Sequence, residues 1–151
     1  MSGSWNPAEF PNLHDLNHSI ESRAVKRYNC IAWAANDDQN WWWPDGAYWP
    51  NGVAHDLTIQ AFVDAFATLG YAKCSGGELE PGFEKIALYA ERIPGIEWEP
   101  THAARQLQSG CWTSKLGPFE DIEHLGVDAV ADGLYGTVAA YLKRPIEAPS
   151  P

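Results

Sequence analysis

Apolar residues recur at helical spacing most clearly over residues 56–69. Leu57, Ala61, Phe62, Ala65, Phe66 and Leu69 fall on one face there, Asp56 or Thr58 can cap the start, and Gly70 can end it. This stripe reads as core packing. A shorter apolar run, Cys30-Ile31-Ala32-Trp33-Ala34-Ala35, follows Asn29. The Asn29 side-chain oxygen can accept from an N–H of a first helical turn, so a helix is expected to start at Cys30 and to stop at the polar break from Asn36. From Lys85 the texture becomes extended. Residues 85–90 read as a strand, and residues 101–107 and 111–117 as a hairpin closed by Gln108-Ser109-Gly110. Residues 120–125 are acidic and fit a short helix bearing His124, while residues 135–142 alternate and fit a last strand or a short helix. Two helices followed by three antiparallel strands predict an α+β fold in one domain spanning 1–151. The Pro-rich ends, 1–11 and 145–151, are expected to be loose arms, with Trp5 and Phe10 able to pin the first.

Between the two helices lies an aromatic loop, with Pro44, Gly46, Pro50 and Gly52 marking turns. Of the eight tryptophans, Trp41, Trp42, Trp43 and Trp49 sit within it. Long ordered loops of this kind either roof a site or plug the core, and both roles fit here for different rings.

The net charge of −10 argues against nucleic acid and against an anionic membrane surface, since both need clustered Lys and Arg. No apolar run approaches the roughly 18 to 20 residues that span a bilayer, and the N-terminus lacks a secretory leader pattern. A cytoplasmic setting is the default, with export by a route without a cleaved signal left open. Cys30, Cys74 and Cys111 are odd in number and widely spaced, unlike a disulfide framework or a CxxC zinc site. His14 and His18 stand four apart but lack a third ligand nearby, so no metal and no cofactor is expected. Residues 21–27 are basic and read as a solvent face.

Candidate chemistry centres on Cys30. A cysteine in a first helical turn meets free N–H groups and the positive end of the helix dipole, both of which favour the thiolate. A nearby base would make it a nucleophile, though most free cysteines are inert core residues. His102, at the start of a strand, is the candidate base. Ser114, on the neighbouring strand, is placed to fix its tautomer, with Asp121 and His124 as other candidates. Trp41, Trp42 and Trp43, with Asn29 and Lys115, are the candidate substrate-binding residues; Arg105 and Lys115 could meet an anionic group or pair with the abundant acids.

Several stretches together carry a resemblance. They are Tyr-Asn-Cys-Ile-Ala-Trp-Ala at 28–34, Trp-Trp-Trp-Pro at 41–44, Lys-Ile-Ala-Leu-Tyr at 85–89 and Thr-His-Ala-Ala-Arg-Gln at 101–106. Trp-Thr-Ser-Lys-Leu-Gly at 112–117, Asp-Ile-Glu-His at 121–124 and Tyr-Leu-Lys-Arg-Pro at 141–145 continue it. With these the chain resembles an uncharacterised bacterial family, over most of its length. More distantly it is similar to the papain-like NlpC and CHAP cysteine amidases and peptidases. That resemblance implies a papain-like fold, with N-terminal helices packed on a small antiparallel sheet. It also implies Cys30 as nucleophile, His102 as base and Ser114 as the third residue, although Asn-Cys-Ile stands where those enzymes usually show Asp-Cys-Ser. The expected function is therefore a cysteine hydrolase or acyl transferase acting on an amide of a peptide or small molecule. The alternative is a non-catalytic interaction protein on the same fold, such as a toxin neutraliser, whose acidic surface and aromatic loop would meet a protein partner.

Overall fold

The computed structural model describes residues 3–95 and 98–146. Its main element is one seven-stranded antiparallel sheet. In chain order the elements are β1 (His18–Ser22), α1 (Cys30–Ala34), α2 (Ile59–Ala67), β2 (Ala72–Cys74), β3 (Phe83–Arg92), β4 (Trp98–Gln106), β5 (Trp112–Lys115), β6 (Asp121–His124) and β7 (Thr137–Pro145). Across the sheet the strands run β1-β6-β5-β4-β3-β7-β2. Short 3-10 turns cover Pro7–Glu9 and Val127–Val130.

This overturns the expected α+β papain-like class. The protein is predominantly antiparallel β: a strand precedes the first helix, and the helices are only five and nine residues long. The reason is visible at β6. Its charged residues suggested a solvated helix, yet Asp121 and His124 are buried because each finds hydrogen-bond partners inside. β1 escaped notice for a related reason. As an edge strand it shows little apolar alternation, and only Ile20 packs inward as its backbone pairs with β6.

The two helices themselves follow local rules. Asn29 caps α1 by accepting from the Ala32 N–H, and Thr58 caps α2 by accepting from the Ala61 N–H. The β4–β5 hairpin closes where Gly110 adopts φ +93°, a conformation that favours glycine, with the Leu107 N–H donating to the Cys111 carbonyl.

The period-2 alternation of β3 divides the interior between the two faces of the sheet. Ile86 and Leu88 join Ala103, Phe62, Phe66, Ile31 and Trp42 under the helices. Ala87 and Tyr89 join Ala104, Leu116, Ile122 and Tyr135 on the opposite face. The N-terminal segment expected as a loose arm is fastened to that second face: Phe10 is buried there, and the Ser4 backbone and hydroxyl donate to Glu120. Pro145 lies within β7; residues 1–2 and 147–151 of the two expected arms lie outside the described residues. Among the described residues, no helix is long and apolar enough to cross a membrane.

Candidate functional site

His102, Ser114 and His124 come from three neighbouring strands. Ser114 pairs with Ile122 and Trp112 with His124, so Ser114 and His124 are diagonal neighbours on one face. His102 and Ser114 stand 3.0 Å apart between Nε2 and Oγ, and Ser114 Oγ lies 2.7 Å from His124 Nε2. His124 Nδ1 lies 2.8 Å from the Gly126 carbonyl.

That carbonyl sets a direction for the whole chain. A carbonyl only accepts, so His124 carries its proton on Nδ1. Burial holds the His124 pKa down at about 4, so at neutral pH its Nε2 is bare and must accept from the Ser114 hydroxyl. Ser114 Oγ then accepts from His102 Nε2–H. His102 is thereby fixed as the tautomer whose Nδ1 holds a free lone pair. Burial, and secondarily the nearby His124, push the His102 pKa well below the usual histidine range. Its Nδ1 is buried and has no hydrogen-bond partner among the described residues. The ring lies flat on Tyr135, with centroids 4.0 Å apart and planes 6° apart, while Tyr89 meets it edge-on.

Cys30 occupies the helix side. It is a free thiol, 5% exposed, and its Sγ donates to the Thr101 carbonyl at 3.8 Å. Burial pushes its pKa up to about 11, overriding the opposing pull of the Ala103, Ile31 and Cys30 N–H groups and of the Lys115 charge. A thiol poised to ionise at the helix start is therefore not what the structure contains. Five residues make a weak dipole, and desolvation exceeds it. Cys30 meets β4 from the helix side at the Thr101 carbonyl, whereas the His102 ring lies on the opposite face of that strand, and the two form no hydrogen bond with each other.

The thiol faces a cavity of about 370 Å³ that Asn29, Thr101, Tyr135, Trp41 and Trp43 also line. Tyr135 links the two groups, since its ring walls the cavity and also covers His102. His102 itself does not line the cavity.

The aromatic loop divides its rings between both expected roles. Trp41 and Trp43 line the cavity, whereas Trp42 and Trp49 are buried in the helix-side core. The Trp42 indole donates to Asp37 at 2.8 Å, so this ring does not reach the cavity. Asn29 lines the cavity, but its side chain is occupied: it donates to the Trp42 carbonyl and accepts from the Trp42 and Ala32 N–H groups. Lys115 is fully buried, with its ammonium donating to the Gly117 and Phe119 carbonyls, and it does not face the cavity. Arg105 lies over the Trp33 ring. Asp121 is not the group that orients His102: it accepts from Tyr28 Oη at 2.6 Å and from the Ser22 hydroxyl.

His18 lies on β1 rather than on a helix, and its Nδ1 donates to the His14 carbonyl. Among the described residues no three His, Cys, Asp or Glu side chains are grouped to hold a metal. Tyr135 was missed by sequence reasoning, because nothing in its neighbourhood along the chain marks a ring that meets both His102 and the cavity.

Fold and site together define an antiparallel β protein with a buried thiol beside a histidine-bearing strand. The model of a domain of unknown function, DUF7689, matches residues 19–143, and the chain belongs to that family. No curated protein and no solved structure matches the chain.

Proposed function

We propose that the protein is a cysteine-dependent acyl-transfer enzyme that hydrolyses an amide or related acyl compound. The observation that carries this reading is the directed chain from Gly126 through His124 and Ser114 to His102. It leaves a buried imidazole lone pair with no structural use on the strand that also carries the thiol's contact. In the reaction Cys30 Sγ attacks the substrate carbonyl, and its proton reaches His102 Nδ1 through one bridging water, because the two side chains meet β4 from opposite faces. The first-turn N–H groups beside Cys30 can stabilise the oxyanion. The C–N bond then breaks, the amine leaves with the proton, and a thioester remains on Cys30. Water attacks the thioester as a proton passes to His102; the C–S bond breaks, the acid leaves, and His102 returns the proton to Cys30 Sγ. A neutral thiol and a neutral imidazole suit this concerted transfer. A general base can act through one water, so the reading does not need a direct Cys30–His102 hydrogen bond. Three free cysteines suit a reducing, cytoplasmic setting.

The test uses a protein with Cys74 and Cys111 replaced by Ser. It is treated with p-nitrophenyl acetate at neutral pH, and the Cys30-containing peptide is followed by mass. Acylation of Cys30 with p-nitrophenol release is expected, lost in Cys30→Ser and greatly slowed in His102→Ala. An unmodified Cys30, or equal rates with and without His102, would sink the proposal. A second reading, a binding protein without catalysis, is favoured by the high thiol pKa and by the missing Cys30–His102 hydrogen bond. An unmodified Cys30 is its signature.

A further inference from the structure

The cavity at Cys30 has an uneven chemistry. Its walls are mostly apolar and aromatic, with Trp41 and Trp43 at one side and Phe119 and Tyr135 among the others. One carboxylate, Asp45, also lines it. The cavity's thiol and its Tyr135 phenol are held protonated by burial. Among the described residues no Lys or Arg lines the cavity, and the Asp45 side chain, which is exposed to solvent, makes no hydrogen bond or ion pair. The adjacent ammonium, on Lys115, is held behind the wall by two backbone carbonyls. Trp41 is 37% exposed although its neighbours Trp42 and Trp49 are buried.

The loop carrying these groups is fastened in place. The Trp43 N–H donates to the Tyr48 carbonyl at 3.0 Å, and the Tyr48 N–H donates to Trp41 at 3.1 Å. His55 Nδ1 donates to the Pro44 carbonyl, immediately before Asp45. The backbone that carries the two indoles and Asp45 is thus fixed before any ligand arrives, which reduces the ordering that binding must pay for.

We propose that this cavity takes a protonated amine on an apolar or aromatic stem, with the stem against Trp41 and Trp43 and the charge at Asp45. Electron-rich ring faces and an unpaired carboxylate both favour a cation, and the apolar walls reward the stem. An anion would meet Asp45 unfavourably, and a neutral ligand would leave it unused. Resting on the acyl-transfer reading above, the substrate is then an amide that also carries a cationic amine, and the amine selects it.

The test is a titration of indole fluorescence in the intact protein with three ligands of like size: phenethylamine, 2-phenylethanol and 3-phenylpropionate. The amine should bind roughly tenfold more tightly than the alcohol, and the acid more weakly than either. In Asp45→Asn the amine's advantage should fall to about twofold or less. Asp64→Asn removes the same charge from the exposed face of α2, and there the preference should persist, which separates Asp45 from the general pull of a net −10 protein. Lysine amide and norleucine amide, both acetylated at the α-nitrogen, distinguish a peptide side chain from a free arylalkyl amine as the source of the cation.

Equal binding of amine and alcohol, erosion of the preference by Asp64→Asn as large as by Asp45→Asn, or no saturable change with the amine would each overturn the inference. The same titration in Cys30→Ser keeps the two proposals apart. Amine preference without acylation of Cys30 in the parent sinks the enzyme reading alone. Acylation without amine preference sinks this one alone.

Discussion

The two faces of the sheet bury their polar groups by different rules. Under the helices, polar groups are tied in separate links: Asn29 to α1 and to Trp42, the Cys30 thiol to the Thr101 carbonyl, the Trp33 indole to Thr113 and the Tyr28 hydroxyl to Asp121. On the opposite face, side chains from β4, β5 and β6 bond one another in series, and the series ends on an unused nitrogen. The separate links fasten a loop and a helix start. The directed series fixes a tautomer and leaves one ring nitrogen of it unpaired among the described residues. The sharpest way to break this contrast is to remove one large side chain from each face. His102→Ala and Ile31→Ala should each destabilise by about 3 kcal/mol, read from urea midpoints, because both side chains are fully buried. Only His102→Ala should also shift the His124 ring resonances. If Ile31→Ala moves them equally, the two faces are not independent.

Acid should separate the faces next. Burial holds the folded-state pKa of His124 at about 4 and that of His102 well below the usual value of about 6.5. The unfolded chain therefore takes up protons first as pH falls. This contribution to stability is fully present above about 6.5 and is lost progressively toward pH 4, up to about 3 kcal/mol for His124. Urea midpoints measured between pH 7.5 and 4 should fall in that window, and His124→Phe should flatten much of the fall. A midpoint independent of pH there would mean that the histidines titrate like exposed ones.

Asn29→Ala probes the helix side with a smaller effect. It removes the α1 cap and the ties to Trp42, and about 2 kcal/mol should be lost. The indole emission should shift as the loop loosens. Unchanged emission would show that Trp42 is held by its core packing and by Asp37 alone.

How much of this was legible in the chain differs between the faces in the same way. Caps and turns are written in adjacent residues, so Asn29, Thr58 and the turn at Gly110 could be read directly. The pairing of His102 with Ser114 was also within reach, because one hairpin joins their strands. The class of the fold was not. It depends on β1 meeting β6 and on β7 lying between β3 and β2, and these pairings join residues far apart in sequence. Polar strands hide such pairings, since Asp121 and His124 show why they are buried only after their partners are known. The thiol's state was misjudged for a related reason: a first-turn cysteine is visible in the sequence, but its burial is not.

The smallest stability effect belongs to the ring placed closest to function. Trp41 is partly exposed and its indole has no hydrogen-bond partner among the described residues, whereas Trp42 and Trp49 each donate one and are buried. Trp41→Ala should therefore change the urea midpoint by no more than about 0.5 kcal/mol, as for an ordinary surface site. If its role is to wall the cavity, the same substitution should weaken phenethylamine binding severalfold, while Tyr48→Ala, another exposed aromatic of the loop outside the cavity lining, should leave binding nearly unchanged. The dissociation of the two readouts is the point of the experiment. A ring kept for packing would lose stability and binding together. A ring kept for a ligand should lose binding alone, and a Trp41→Ala protein with weakened folding and unaltered binding would assign the indole to the core after all.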